Sequence, residues 1–268
     1  MKKIINLLVG INITLVSFGL GVFDRIYQKK IIKKLKKILG NDINVIFDVG
    51  AHKGEFTNLI LKNFSINHMQ LFEPNLINFN YLKNKFKNKK IDLNNYALGE
   101  REEIKKFKIM KETSSSTLSE INENTKYFKR KNFFLNFGLK SEIFKEIDIK
   151  IFHGSKILKE KKINSIDLLK IDTEGHEYFV IKGFEKDLSK VKVIFFEHHY
   201  DQMIIKNYTF SDINRYLKDN NFEQYSKFKM PFRKSFEYIY KNKNYLLFYF
   251  YYLKIKYFLF DKILNVHA

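Results

Sequence analysis

Two stretches near the start of the chain carry residues whose types and spacing could hold a ligand. The first is Val45-Ile-Phe-Asp48-Val-Gly50-Ala51-His52-Lys-Gly54-Glu-Phe-Thr57, an apolar run that ends in an aspartate and passes through Gly-x-x-x-Gly into a helical pattern. Glycines at such a turn let the backbone approach a ligand, and the N–H groups opening the helix point at it. The spacing is neither G-x-G-x-x-G nor G-x-x-x-x-G-K-S/T, so it matches neither a dinucleotide fingerprint nor a P-loop. Asp48 ahead of the glycines argues against phosphate and for a ligand with positive charge near the strand end. About 20 residues on, Phe72-Glu73-Pro74 closes a second apolar run, where a carboxylate can accept both hydroxyls of a ribose. Together the two stretches describe a pocket for S-adenosylmethionine. Glu73 alone would read as a solvated carboxylate.

Two further clusters carry titratable groups. Ile166-Asp-Leu-Leu-Lys170-Ile-Asp172-Thr-Glu174-Gly175-His176-Glu177 delivers carboxylates and a histidine at the end of an apolar strand, the edge at which open α/β sheets bind ligands. Helix capping, worth about 1 kcal/mol, accounts for one or two of these residues but not for four polar groups around a glycine. Phe195-Phe196-Glu197-His198-His199 again ends an apolar strand with polar groups. Adjacent strand residues face opposite ways, so at most one of the histidines points into a site. Asp172, Glu174, His176 and His198 are the candidates for a base or substrate clamp, with a helix-surface role as the alternative for His176. A divalent metal held by Asp172, Glu174 and Glu197 is a secondary reading that no spacing supports. The Ser114–Thr117 run reads as a solvated loop, or as hydrogen-bonding groups for a polyhydroxylated substrate.

These clusters need strands to deliver them. Strands are expected over 44–49, 68–73, 91–97, 166–171 and 191–197, and helices over 54–63, 75–87, 174–187 and 211–220. β-Branched runs alternating with helices indicate βαβ units and a parallel sheet buried on both faces. Residues 103–110 alternate as an edge strand does, 222–229 and 244–251 read as a closing antiparallel pair, and 111–150 reads as an insertion or lid.

The set DVGAHKGEFT, LFEPN, NYALGE, SSSTL, IDLLKIDTEGHE and IFFEHH, in this order over residues 43–250, resembles the FkbM-type S-adenosylmethionine-dependent methyltransferases. The resemblance implies an α/β fold: a Rossmann-like, seven-stranded class I methyltransferase sheet with helices on both faces. It also implies O-methylation of a small-molecule or glycan acceptor, commonly a sugar or a polyketide-like hydroxyl. By motif, Asp48, Gly50, Ala51, His52 and Gly54 shape the methionine side of the pocket. Glu73 binds the ribose, and Asn95, Ala97 and Leu98 lie near the adenine. Three features depart from the family: His52 stands where asparagine is usual, Gly154-Ser155-Lys156-Ile157 replaces a Leu-Asp pair ahead of the fourth strand, and segment 119–150 is longer than usual. The competing readings are a nucleic-acid methyltransferase and a non-catalytic protein of the same fold. The missing Asn/Asp-Pro-Pro-aromatic motif counts against the first, and intact Asp48, Gly50, Gly54 and Glu73 count against the second.

Composition bounds the rest. The 268 residues hold 49 Lys plus Arg against 29 Asp plus Glu, for a net charge of +20, with no Cys. Thiolate chemistry, disulfides and Cys-based metal sites are excluded. Lysine dominates the positive charge, which fits compositional drift; membrane-surface and nucleic-acid partners rank behind it, and nucleic acid last. Residues 4–23 carry no charge and match the thickness of a bilayer core, about 30 Å. Residues 26–39 then follow as a basic amphipathic segment suited to an anionic leaflet. The expected organisation is an anchor or amphipathic segment over 1–40, a methyltransferase domain over 41–252 held on the cytoplasmic side by the flanking lysines, and an aromatic, basic tail over 253–268. A helix packed on the domain is the alternative for the apolar run. The sequence carries no signal of oligomeric state.

Overall fold

The computed structural model describes residues 26–87, 90–110, 115–136, 144–230 and 234–245. The apolar run 4–23 and the tail 253–268 lie outside the described residues. Five runs rich in Ile, Val, Leu and Phe form parallel strands: β1 Asp42–Val49, β2 Ser65–Phe72, β3 Ile91–Asn94, β8 Ile166–Ile171 and β9 Val191–His199. Two more strands close one edge: β12 Ser235–Asn242, antiparallel to its neighbours, and β11 Phe222–Lys229 beyond it, running with the parallel strands, giving the order β11-β12-β9-β8-β1-β2-β3. The sheet thus has seven strands, as expected. The chain winds outward from β1 in one direction and from β8 in the other, so the switch point at which such sheets bind ligands lies between them.

Strand alternation sorts the core into two layers. Phe47, Leu169, Phe196 and Tyr238 pack on one face, covered by α5 (Gly154–Glu160), α6 (Glu177–Lys182) and α7 (Phe210–Asp219). Ile46, Leu168, Phe195 and Ile239 pack on the other, under a helix over 26–39 (α1) and α2 (Glu55–Asn63). Helix α3, Leu76–Lys85, brings Leu82 to the same layer.

Several expectations are corrected. The run 91–97 is not one strand: β3 ends at Asn94, and β4, Ala97–Gly99, joins a separate sheet of order β4-β7-β5. Asn94 Nδ2 donates to the Gln70 side chain and to the Leu71 carbonyl, and Asn95 Nδ2 donates to the Glu73 carbonyl, so side-chain amides take over where the ladder stops. In the segment read as a lid, Phe144–His153 is β7, antiparallel to β5 (Glu103–Met110). Its Ile147, Ile149 and Ile151 alternate with charged residues, the period of a half-buried strand. The same segment also holds α4, Lys126–Asn136, and β6, Glu120–Ile121, which pairs with β10, Ile204–Ile205. The partner of β11 is β12; of the strand expected over 244–251, residues 246–251 lie outside the described residues. The helix expected over 174–187 covers only α6, followed by a 3-10 turn over Glu185–Lys190.

Helix α1 differs most from its sequence reading. Its Ile31, Ile32 and Leu35 are buried in the core of the domain, so the apolar stripe expected to face a leaflet faces the sheet. Among the described residues no helix is long and apolar enough to cross a membrane. Because Leu35 is fully buried, Leu35→Ala is expected to cost about 2–5 kcal/mol. A lower urea midpoint at unchanged slope would register that loss; an unchanged midpoint would show that α1 is not part of the folded unit.

Candidate active site

Three turns at the carboxyl edge of the sheet build the site. In the β1–α2 turn, Gly50 adopts φ +77°, and a Cβ there would lie 1.9 Å from the Asp172 carbonyl oxygen. Only glycine allows the β1 and β8 turns to touch. The Gly50 and Ala51 amides both donate to the Phe72 carbonyl, which binds this turn to the end of β2. Gly54, at φ +75°, presses on Phe86 and Leu82 and seats the start of α2.

Asp48 and Lys170 lie side by side in β1 and β8, both buried. Lys170 Nζ is 3.1 Å from Asp48 Oδ1 and 3.7 Å from Asp172, and it donates to the Gly50 carbonyl at 3.1 Å. Thr57 donates to the other Asp48 oxygen at 2.7 Å. Burial raises the Asp48 pKa against the pull of Lys170. Burial opposes the charge on Lys170, but Asp48 and Asp172 outweigh it and the pKa rises. The positive charge expected beside Asp48 therefore comes from the chain's own lysine, and Asp48 lines neither of the cavities described below.

Glu73 follows β2 and is almost fully buried. One carboxylate oxygen accepts from the His52 amide at 2.8 Å and the other from the Asn75 amide at 2.9 Å. Burial pushes its pKa up to about 7 despite those two amides. Holding the amide toward Glu73 puts His52 at φ +48°.

The β8–α6 turn presents Asp172, Thr173, Glu174 and His176. Glu174 has φ +51°, a conformation costing on the order of 1–3 kcal/mol for a residue with a side chain. Neighbours on both sides hold it. Thr117 and Ser119 donate to the carbonyls of Glu174 and Gly175 at 2.5 and 2.9 Å. Buried Glu177 accepts from the Gly175 amide at 2.8 Å and from the Tyr208 hydroxyl at 2.7 Å. Burial lifts the Glu174 pKa to about 8, and His199 pulls against it.

The histidine that reaches this turn is His199, not His198. His199 Nε2 lies 3.1 Å from Glu174 and 3.3 Å from Glu197, and Nδ1 lies 3.4 Å from Asp201. Burial opposes protonation there, but these carboxylates raise the pKa to about 10. His198 sits on the other face of β9 among Tyr200, Tyr208 and Phe210, where burial and Lys206 press its pKa down to about 3. Alternation along the strand separates the pair, as expected, and sends His198 away from the turn. His176 is buried against Phe179, with a pKa lowered to about 3 by burial and by Lys105.

Two cavities meet at these turns. The first, about 540 Å³, lies between Glu73 and Pro74 on one side and Asp172, Thr173 and Glu174 on the other; Val49, Gly50, His52, Phe72, Ala97, Leu98 and His176 line it as well. The second, about 1300 Å³, shares Gly50, His52, Asp172 and Glu174 with it and adds Ala51, Lys170, Glu197 and Glu237. Asn95 and Gly54 line neither; they hold the backbone behind the first cavity. Ser116 and Leu118 reach the first cavity from the segment beside β5, while Ser114 lies outside the described residues. Among the described residues no group of His, Asp and Glu is arranged to hold a metal ion. Lys170 and His199 instead supply positive charge to Asp172, Glu174 and Glu197.

The model of the Methyltransferase FkbM domain matches residues 48–223. The chain belongs to that family. Its sheet order, with the antiparallel β12 between β9 and β11, is the fold of S-adenosylmethionine-dependent methyltransferases. Among solved structures it is similar to the methyltransferase FkbM from Methylobacillus flagellatus KT, at 15% identity and a TM-score of 0.47 over 75% of this chain and 44% of that one. It is also similar to TrmK of M. capricolum in complex with S-adenosyl-homocysteine, at 13% identity and a TM-score of 0.41 over 79% of this chain and 67% of that one. A third likeness is to an rRNA methylase from Streptococcus thermophilus, at 9% identity and a TM-score of 0.43 over 79% and 93%. The chain thus spans less than half the length of the first of these. No curated protein sequence matches it.

Within this family member, Lys170, Glu177, His199 and Glu237 were not among the candidates read from sequence. Lys170 had a signal, a lone charge inside the apolar run IDLLKI. Replacing it with methionine strands the Asp48 carboxylate in the core, so Lys170→Met is expected to lose about 3–5 kcal/mol of stability. The double variant Asp48→Asn/Lys170→Met should recover part of that loss in chemical denaturation. Simple additivity of the two substitutions would show that the pair is not coupled.

Proposed function

We propose that this chain transfers a methyl group from S-adenosylmethionine to a hydroxyl oxygen of a sugar, glycan or glycolipid. The observation that carries the reading is one cleft at the switch point, with Glu73 on one side and Asp172 and Glu174 on the other. That donor set fits the cofactor. Phe72, Pro74, Ala97 and Leu98 offer an apolar wall for a flat base. Glu73 accepts from the His52 and Asn75 amides and from the Asn78 side chain, which leaves acceptor capacity on its two oxygens for ribose hydroxyls. Asp172 and Glu174 favour a ligand that carries positive charge. When bound, the cofactor supplies a methyl group on a cationic sulfur, open to in-line displacement.

The chain's own part is positioning and proton transfer. Rigid turns that hold an acceptor in line can contribute about 7–11 kcal/mol. Glu174, carrying a pKa near 8 beside protonated His199, is placed to take the hydroxyl proton on a carboxylate oxygen. A positioned base of this kind contributes roughly 10²–10⁴ in rate. His176, a neutral imidazole lining the same cleft, remains as a clamp for the acceptor or base.

Two measurements test this. Calorimetry should find saturable binding of S-adenosylhomocysteine to the full chain, and Glu73→Gln should weaken it about 10–100-fold, the worth of hydrogen bonds to a charged group. Only ionised Glu73 accepts both hydroxyls, so affinity should fall as pH drops through about 7, and the variant should lose that dependence. Absence of binding to the unaltered chain would overturn the reading. Turnover should rise with pH through about 8 as Glu174 loses its proton, and Glu174→Gln should remove that limb along with most of the rate.

A further inference from the structure

The second cavity is the larger of the two and meets the cofactor cleft at Gly50, His52, Asp172 and Glu174. Strand register explains its chemistry. Lys170, Phe195, Glu197 and Glu237 project from β8, β9 and β12 toward the layer roofed by α1 and α2. Glu197 and Glu237 are direct cross-strand partners. Like charges in that position destabilise a sheet, and burial together with Glu197 drives the Glu237 pKa up to about 8. His199 lies 3.3 Å from Glu197, and Tyr27 hydrogen-bonds Glu237, so the fold holds both carboxyl groups at the cavity floor. Held there, they suit a ligand rich in hydroxyl groups, because carboxyl groups accept and, when protonated, donate hydrogen bonds.

The roof is of a different kind. Tyr27 and Ile31 of α1, Phe56 of α2 and Met230 after β11 give the cavity an apolar side opposite its polar floor. Tyr27, Ile31, Met230 and Glu237 all lie outside residues 48–223, the part that matches the family model. Part of these walls therefore comes from segments of the chain outside the matched region.

We propose that this cavity is the acceptor site, and that the acceptor is an uncharged sugar carrying an apolar aglycone. The inference rests on the methyltransferase reading above and adds where the acceptor lies and what selects it. The floor receives the sugar hydroxyls, and Asp172 and Glu174 join it to the cofactor cleft. The roof receives the aglycone. Anionic sugars are rejected: Glu55, whose pKa is lowered to about 2, and Asp172 line the cavity, while its one ammonium, Lys170, already faces Asp48 at 3.1 Å.

The test uses the full chain saturated with S-adenosylhomocysteine and three probes: octyl β-glucoside below its critical micelle concentration, methyl β-glucoside, and glucose 6-phosphate. Octyl glucoside is expected to bind at least about tenfold more tightly than methyl glucoside, since burial of a hydrocarbon chain adds affinity with each methylene. Glucose 6-phosphate should not compete. Glu237→Gln should weaken both glucosides several-fold at unchanged S-adenosylhomocysteine affinity, and Met230→Gln should collapse the octyl-to-methyl ratio. Retained S-adenosylhomocysteine affinity in each variant also shows that it has folded. Equal binding of the two glucosides, competition by glucose 6-phosphate, or no glucoside binding by a chain that still binds S-adenosylhomocysteine would overturn the acceptor proposal alone. Failure of the unaltered chain to bind S-adenosylhomocysteine would overturn both readings.

Discussion

One buried ammonium holds the site together. Lys170 reaches from β8 across the switch point to the Asp48 carboxylate and the Gly50 carbonyl, with Asp172 nearby. Taking an ammonium and a carboxylate out of water costs several kcal/mol for each ion, and only close geometry with further hydrogen bonds offsets it. Thr57 supplies one of those bonds from α2. The result ties β1, α2, β8 and two loops to a single point. Such a pair is weak evidence of stability. Its value here is register: β1 and β8 must end at the same height for Gly50 to lie against the Asp172 carbonyl, and the ion pair is satisfied only in that alignment.

The second constraint is the strained β8–α6 turn. Glu174 has a backbone conformation that its side chain disfavours, and it is held from two directions: by Thr117 and Ser119 on one side, by Glu177 and Tyr208 on the other. Thr117 exchanges backbone hydrogen bonds with Lys108 in β5. The small sheet β4-β7-β5 is thus an abutment for the turn. It also carries Ala97 and Leu98 to the first cavity, so one element supports the acidic turn and walls the cleft facing it.

How much of this was legible in the sequence depends on range. The parallel strands and the loop chemistry at their ends were readable, because apolar runs of β-branched residues and the glycine-to-carboxylate spacings are local patterns. The choice between His198 and His199 was not. Alternation says that two adjacent strand residues diverge, but which of them faces α1 follows from the register of β9 against β8 and β12. Glu237 was hidden for the same reason, since its meaning comes from Glu197 across a strand pair 40 residues away. The segment around β7 misread as an insertion because Glu146, Asp148 and Lys150 on its exposed face masked the alternating isoleucines.

Charge shows the same separation of scales. The chain carries +20, and α1 alone exposes Lys29, Lys30, Lys33, Lys34 and Lys37 on the side turned away from the core. On its inner side, that helix helps to roof a cavity lined by carboxylates. An outer lysine lies on the far side of the helix and is screened by salt within about 8–10 Å. It therefore contributes little to the field that a bound molecule meets inside. Net charge describes how the surface meets its surroundings. The interior field is set by Asp48, Lys170, Glu174, Glu197, His199 and Glu237, whose positions are dictated by strand register, and it is this field that any ligand of the two cavities must match.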